Sequence, residues 1–143
     1  MLFKRISRTT PEAVYVVAQN VAGATLTAGY SCVWDTGASA NGVRVTQAAT
    51  NTVGCFAGVA DSDIANNAYG LIQVYGYRAT TYIYSSTGTS ATGDVLNLVN
   101  AEYGLTPVIG TELKKSFAFL CESVAGSSSS RYHTNAKAFI RAL

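Results

Sequence analysis

The chain is short of charge, cysteine, histidine and proline, and each shortage closes off a class of function. Only 13% of its 143 residues are Asp, Glu, Lys or Arg, about half the share of an ordinary soluble domain. Such a surface has little solubilising charge, which points to burial against partners. The net charge of +2 is too small for nucleic-acid binding, which is marked by a concentrated basic face. Cys32, Cys55 and Cys121 are odd in number and widely spaced, fitting neither a disulfide framework nor a metal-ligand pattern. Reduced, buried thiols are expected, as in a protein assembled in a cytosol. The one histidine, His133, excludes His-rich metal centres and leaves any Ser–His pair unsupported. No apolar run approaches the ~18 residues of a membrane span. The basic lead MLFKRISR is followed, after Glu12, only by the short run AVYVVA, which does not make a secretory signal. Helix signals are sparse, no repeat of about 20–50 residues is visible, and no cofactor or metal is implied.

What the chain has in quantity is strand-forming sequence. From Val53 to Tyr77, two apolar runs flank a polar turn. Phe56, Val59, Leu71, Ile72, Val74, Tyr75 and Tyr77 suit a half-buried pleated surface, and Asp61, Ser62, Asp63, Asn66 and Asn67 suit the turn because their side chains bond to nearby backbone. The stretch reads as a central hairpin. Before it lie strand candidates at Ala13–Ala18, Tyr30–Trp34 and Gly42–Thr46, with Asn41-Gly42 as the dipeptide for a tight type I′ turn. After it come Thr80–Tyr84, Val95–Val99 (with a short helix over 95–103 as the alternative), Ser116–Val124 and Lys137–Leu143. Short strands at roughly ten-residue spacing with turns between them predict an all-β fold, a β-barrel or β-sandwich of about eight mainly antiparallel strands. One domain is expected at this length: a basic N-terminal arm over 1–12, then a β-rich body over 13–143 with a flexible serine-rich connector at 126–131.

The charge is unevenly spread. Residues 1–12 carry +2, from Lys4, Arg5 and Arg8 against Glu12; residues 114–143 carry +4; the body between them carries −4. Basic ends on an acidic middle are either solvated tails or segments that reach an acidic neighbouring surface.

Three constellations invite a chemical reading. Val33-Trp34-Asp35-Thr36-Gly37-Ala38-Ser39 resembles the active-site signature of retroviral-type aspartic proteases, with Val108-Ile109-Gly110 as a downstream echo. That resemblance implies a homodimer in which Asp35 and its symmetry mate share a proton. The chain runs from Ser39 straight into Asn-Gly and a new strand, however, so Asp35–Gly42 reads equally well as a polar loop. Asp61-Ser62-Asp63 has oxygen ligands for a hard cation but lacks the rest of a calcium loop, so a solvated turn is the simpler reading. Tyr69, Tyr75, Tyr77, Tyr82 and Tyr84 fall within sixteen residues. Alternation puts Tyr75 and Tyr77 on one face of a strand and Tyr82 and Tyr84 on one face of the next. Tyrosine suits a protein or sugar contact surface, and also cross-strand packing within the sheet.

The wider order of segments carries a second resemblance. VAGATLTAG from Val21, VWD from Val33, GVRVT from Gly42, FAGVA from Phe56 and YGLIQVYG from Tyr69 together are similar to small structural proteins of tailed bacteriophages, in particular capsid decoration or cement proteins. The resemblance implies a non-enzymatic homo-oligomer on the outer capsid surface, assembled in the host cytoplasm. Its implied partners are the major capsid protein and copies of itself, with no direct contact to nucleic acid or membrane. On this reading Lys4, Arg5 and Arg8 of the arm and Tyr75, Tyr77, Tyr82 and Tyr84 are the candidate partner-binding residues. A virion fibre or receptor- and glycan-binding module is the remaining alternative.

Overall fold

The structure, a computed structural model, describes residues 3–7, 12–85, 88–108, 117–126 and 132–142. Among the described residues ten strands follow one another: β1 Phe3–Ser7, β2 Ala13–Asn20, β3 Ser31–Trp34, β4 Arg44–Thr46, β5 Phe56–Ala60, β6 Tyr69–Ser85, β7 Val95–Leu98, β8 Leu105–Pro107, β9 Ala118–Leu120 and β10 Tyr132–Arg141. The all-β expectation holds, with more strands than expected and two of them long. They form one sheet in the order β1-β2-β4-β3-β5-β6-β10-β9-β7-β8, with further pairings of β2 with β6 and of β6 with β8. Two circuits of strands therefore share β6. Neither is a continuous closed barrel, because β2 meets β4 through two residue pairs and β6 meets β8 through the single pair Ile83–Leu105.

The central hairpin is present: β5 runs antiparallel to β6, with Val59 opposite Gln73 and Ala60 opposite Ile72. Its second arm differs from the expectation. Thr80–Tyr84 is not a separate strand but the continuation of β6, which spans 17 residues. The strand survives this length by bending. Val14 faces Tyr75 and Tyr15 faces Gln73, so Val74 is bulged toward β2; on the other edge Ala138 faces Arg78 while Ala136 faces Thr81, so β6 carries an extra residue there. Gly76, between the two irregularities, has φ +103°, and a Cβ on it would run into the Glu12 carbonyl and Ala13. A β-bulge of this kind increases local twist and re-aims side chains.

Three further details have plain causes. Asn41-Gly42 does not make a tight hairpin turn: β3 and β4 are joined by a nine-residue loop, 35–43, in which only Gly42 has positive φ, whereas a type I′ turn needs two such residues. Residues 95–103 are strand and turn, not helix, with β7 held by β8 and β9. Leu105-Thr106-Pro107 is a strand that the sequence reading passed over; Pro107 sits at its last position, where a missing N–H is tolerated. Phe3–Ser7, within the stretch expected as an arm, is the edge strand β1 and pairs antiparallel with Ala13–Val16 of β2. Most of the serine-rich connector, 127–131, lies outside the described residues.

Two apolar clusters fill the interior. One is built from Val16, Ala18, Leu26, Cys32, Val45, Ala57, Ala60, Ile64, Ile72 and Val74. The other includes Val33, Phe56, Val59, Ile83, Leu96, Leu98, Leu105, Leu120 and Ile140. β5 is buried on both faces and serves both: Ala57 and Ala60 point into the first cluster, Phe56 and Val59 into the second. β6 serves them in succession, through Ile72 and Val74 and then through Ile83. Of the three thiols only Cys32 is fully buried; Cys55 and Cys121 are partly so, and all are free. Burial pushes the Cys32 thiol well above its ordinary range, which keeps it protonated and unreactive.

Candidate functional site

The tyrosines of β6 were expected as two pairs on two strands, and they lie on one strand instead. Tyr77 and Tyr82 are five positions apart, so simple alternation would send them to opposite faces. The bulge between Arg78 and Thr81 removes that conflict. Tyr77 stands opposite Phe139, Tyr82 opposite Asn135 and Tyr84 opposite His133. These three partners are odd-numbered residues of β10, whose even-numbered Ala136, Ala138 and Ile140 are buried. One sheet face thus carries both tyrosine pairs.

On that face the rings form two groups. In the first, Tyr75 meets Phe139 edge to face at 5.1 Å and Phe139 stacks on Phe119 at 5.1 Å. In the second, Tyr103, Tyr30, Tyr82 and His133 follow one another at 4.7, 5.0 and 5.2 Å, and Tyr84 lies 5.1 Å from His133. Backbone bonds hold this ladder: Ser31 N–H and its hydroxyl both donate to the Tyr103 carbonyl, and Tyr82 N–H donates to that of Gly29. Burial, then the neighbouring Tyr30 and Glu102, raise the Tyr82 hydroxyl above its ordinary range; burial and Tyr30 do the same for Tyr103. Within the ladder Tyr30 stacks on Tyr103 and Tyr82 on His133. Of the five β6 tyrosines, Tyr69 at the strand's start is the most exposed, at 62%, followed by Tyr75 at 36%, whereas Tyr84 is buried at 6%.

The acidic motifs hold loops. One Asp35 oxygen accepts the Gly37 N–H at 2.9 Å, and the other lies 3.3 Å from Arg44 Nε. That second contact is an ion pair without a well-aligned hydrogen bond, since Nε has no hydrogen-bond partner. Arg44 reaches on to donate to the Ser39 carbonyl at 2.7 Å. Asp35 thereby cross-braces the loop 35–43; Ile109 and Gly110 of the downstream echo lie outside the described residues. Asp63 accepts the Ala28 N–H at 2.8 Å, tying two loops together. Asp61 faces Arg78 at 3.3 Å. Among the described residues no group of three or more His, Cys, Asp or Glu is placed to hold a metal ion.

Arg78 was not singled out in the sequence reading, although a lone arginine inside VYGYRATTYIY is a signal of its own. It is 8% exposed, and every N–H of its guanidinium is used. Nε donates to the Thr80 carbonyl; the terminal nitrogens reach Asp61 Oδ1, Gln73 Oε1 and the carbonyls of Ala60 and Asp61 at 2.8–3.4 Å. Gln73, also buried, donates to the carbonyls of Tyr75, Gly76 and Tyr77. This network gives partners to the carbonyls of Tyr75, Gly76, Tyr77 and Thr80 along the bends in β6. Tyr30, Tyr103, Phe119 and Phe139 also escaped the sequence reading, because their grouping depends on loops and strands far apart in the chain.

No protein-family profile matches the chain, and no curated protein does. Its architecture places it among all-β domains built on one continuous, bent sheet, and solved structures of that architecture exist. One, described as the head fiber gp8.5 N base in bacteriophage phi29, superposes with a TM-score of 0.55 at 15% sequence identity, over 91% of this chain and 95% of that one. The likeness is one of fold, and it extends over nearly the whole of both chains.

Proposed function

We propose that the protein is a non-enzymatic structural component of a bacteriophage virion, bound to the outer surface of the capsid and stabilising the shell. The observation that carries this reading is the near end-to-end fold likeness to the base of a phage head fibre. It agrees with the resemblance to capsid decoration proteins drawn from the order of sequence segments. The low charge, the basic ends and the use of Asp35, Asp61 and Asp63 as loop ties are in keeping with a binding rather than a catalytic role.

In this proposal the contacts to the major capsid protein come from the basic N-terminal stretch, through Lys4, Arg5 and Arg8. Contacts to neighbouring copies come from the exposed Tyr75 with Phe139 and Phe119. Weak contacts of this kind gain strength on a repeating lattice because each bound site raises the effective concentration at the next. The likeness also favours a fibre base over a free-standing cement subunit as the form the protein takes on the head.

The test is cosedimentation with capsids of its own virion stripped of the protein. Wild type should pellet with the shells and raise their resistance to heat. Removing residues 1–10, or reversing Lys4, Arg5 and Arg8 to Glu, should weaken binding while the circular-dichroism spectrum of the body is retained. Failure of the wild type to pellet overturns the reading; unchanged binding of the charge-reversed variant removes the arm from it.

A further inference from the structure

A cavity of about 400 Å³ opens at the bends of β6, within the range of about 300–1,000 Å³ typical of small-ligand clefts. Buried Gln73 and Arg78 form its floor, Tyr15 and Tyr77 contribute its walls, and Asp61 and the bulged Ala79-Thr80 pair stand at its lip. We propose that this cavity binds a neutral saccharide.

The class of ligand follows from what the cavity offers. An anion would look for donors, yet all the N–H groups of Arg78 are already committed to the protein, and a carboxylate stands at the lip. A cation would be drawn to Asp61, but the Arg78 guanidinium lies 3.3 Å behind that carboxylate and offsets it. A purely apolar ligand would have to cover the polar floor without bonding to it, which is costly. What remains is a ligand that is uncharged, rich in hydroxyl donors and apolar on its C–H faces. Asp61 suits it: Oδ1 is held by Arg78, Oδ2 has no partner among the described residues, and the side chain is 36% exposed. A carboxylate held in place accepts sugar hydroxyls without a large loss of its own freedom. Tyrosine supplies an apolar ring for C–H faces and a polar tip for hydroxyls. The extra residue in β6 turns Ala79 and Thr80 outward, where both are exposed. Tyr75, Phe119 and Phe139 do not line the cavity, so the inference does not rest on capsid binding.

The experiment is an amide NMR titration of the isolated full chain with maltotriose, cellotriose and chitotriose as neutral probes. Trigalacturonate and spermidine serve as charged controls. At least one neutral trisaccharide should shift the amides of Asp61, Ala79 and Thr80, and both controls should leave them in place. Tyr77→Ala and Asp61→Asn should each weaken that binding by about tenfold or more, the loss of one charge-assisted hydrogen bond or one wall. Asp61→Asn also touches the Arg78 network; if it does not fold, Tyr77→Ala decides the matter, since Tyr77 contributes only a backbone carbonyl to that network. Absence of binding by all three neutral probes, equal binding in the folded variants, or preferential binding of a charged control overturns the proposal. Because no capsid is present, failure here is distinct from failure of cosedimentation.

Discussion

The two apolar clusters of this molecule share alanine and valine but differ in their largest side chains. The one enclosed by β2 to β5 and the first half of β6 is mostly alanine and valine and holds no aromatic residue among its buried members. The one against β7 to β10 holds four buried leucines and Phe56. In the first, backbones approach each other closely. Gly58 has φ +142°, and a Cβ on it would meet the Gln73 carbonyl and Ile72 at once; one on Gly70 would enter Ile64. In the second, large side chains fill the space between strands. The first cluster is therefore sensitive to added volume and the second to removed volume, although β5 forms a wall of both.

Substitutions can break this comparison at its strongest point first. Gly58→Val adds three carbons where there is no room and demands a backbone conformation that a β-branched residue rarely takes, so the loss should exceed about 3 kcal/mol. Little soluble protein is expected, and urea denaturation of any recovered fraction should show a much lower midpoint. Arg78→Met takes a donor from the side chains of Asp61 and Gln73 and from three carbonyls, at about 3–4 kcal/mol. Unfolding should nevertheless stay a single transition by near- and far-ultraviolet circular dichroism, because β5 and β6 belong to both clusters; two separated transitions would show that the clusters are independent. In the second cluster Leu120→Ala should cost about 2–4 kcal/mol through lost burial and the cavity left behind, measured by the same denaturation.

Smaller effects appear on titration. A proton-releasing group whose folded value is raised contributes stability below its ordinary value, and that contribution is lost as pH rises through the folded one. For Cys32 in the first cluster the loss should begin above the ordinary thiol value of 9.0, and for Tyr82 and Tyr103 above 10.0. The melting temperature should thus fall between pH 9 and 11, first through the thiol and then through the ladder; Cys32→Ala should delay its onset. The smallest effect belongs to Glu122, which the Lys137 backbone N–H and ammonium hold below its ordinary 4.5. Its contribution is present above pH 4.5 and fades as pH falls through the lower folded value. Glu122→Gln should leave the melting temperature at pH 7 almost unchanged, as for exposed ion pairs in general.

Much of this architecture was legible in the chain. β-branched and aromatic runs located the central hairpin and most strands because their burial is repeated every second residue. The bends in β6 were not legible, since an inserted residue changes which face follows without changing residue types, and so a 17-residue strand read as two. The tyrosine face was half legible. Tyr75 to Tyr84 are close in sequence, but Tyr30 and Tyr103 reach them from loops and Phe119 and Phe139 from other strands. The Asp35 loop shows the reverse case, in which a motif drew a chemical reading and the folded chain gives its carboxylate a bracing task.

The register at Gly76 has a mechanical consequence. Ala13, where β2 begins, and Ile140, near the end of β10, stand opposite this one residue from its two sides. Ala13 and Ile140 therefore lie about 10 Å apart, two strand spacings. Tension between these points does not load the two ladders in shear. Applied at Ala13 and Ile140 themselves, it peels β2 and β10 away from the middle of β6 one hydrogen bond at a time, like a zipper opened from the slider.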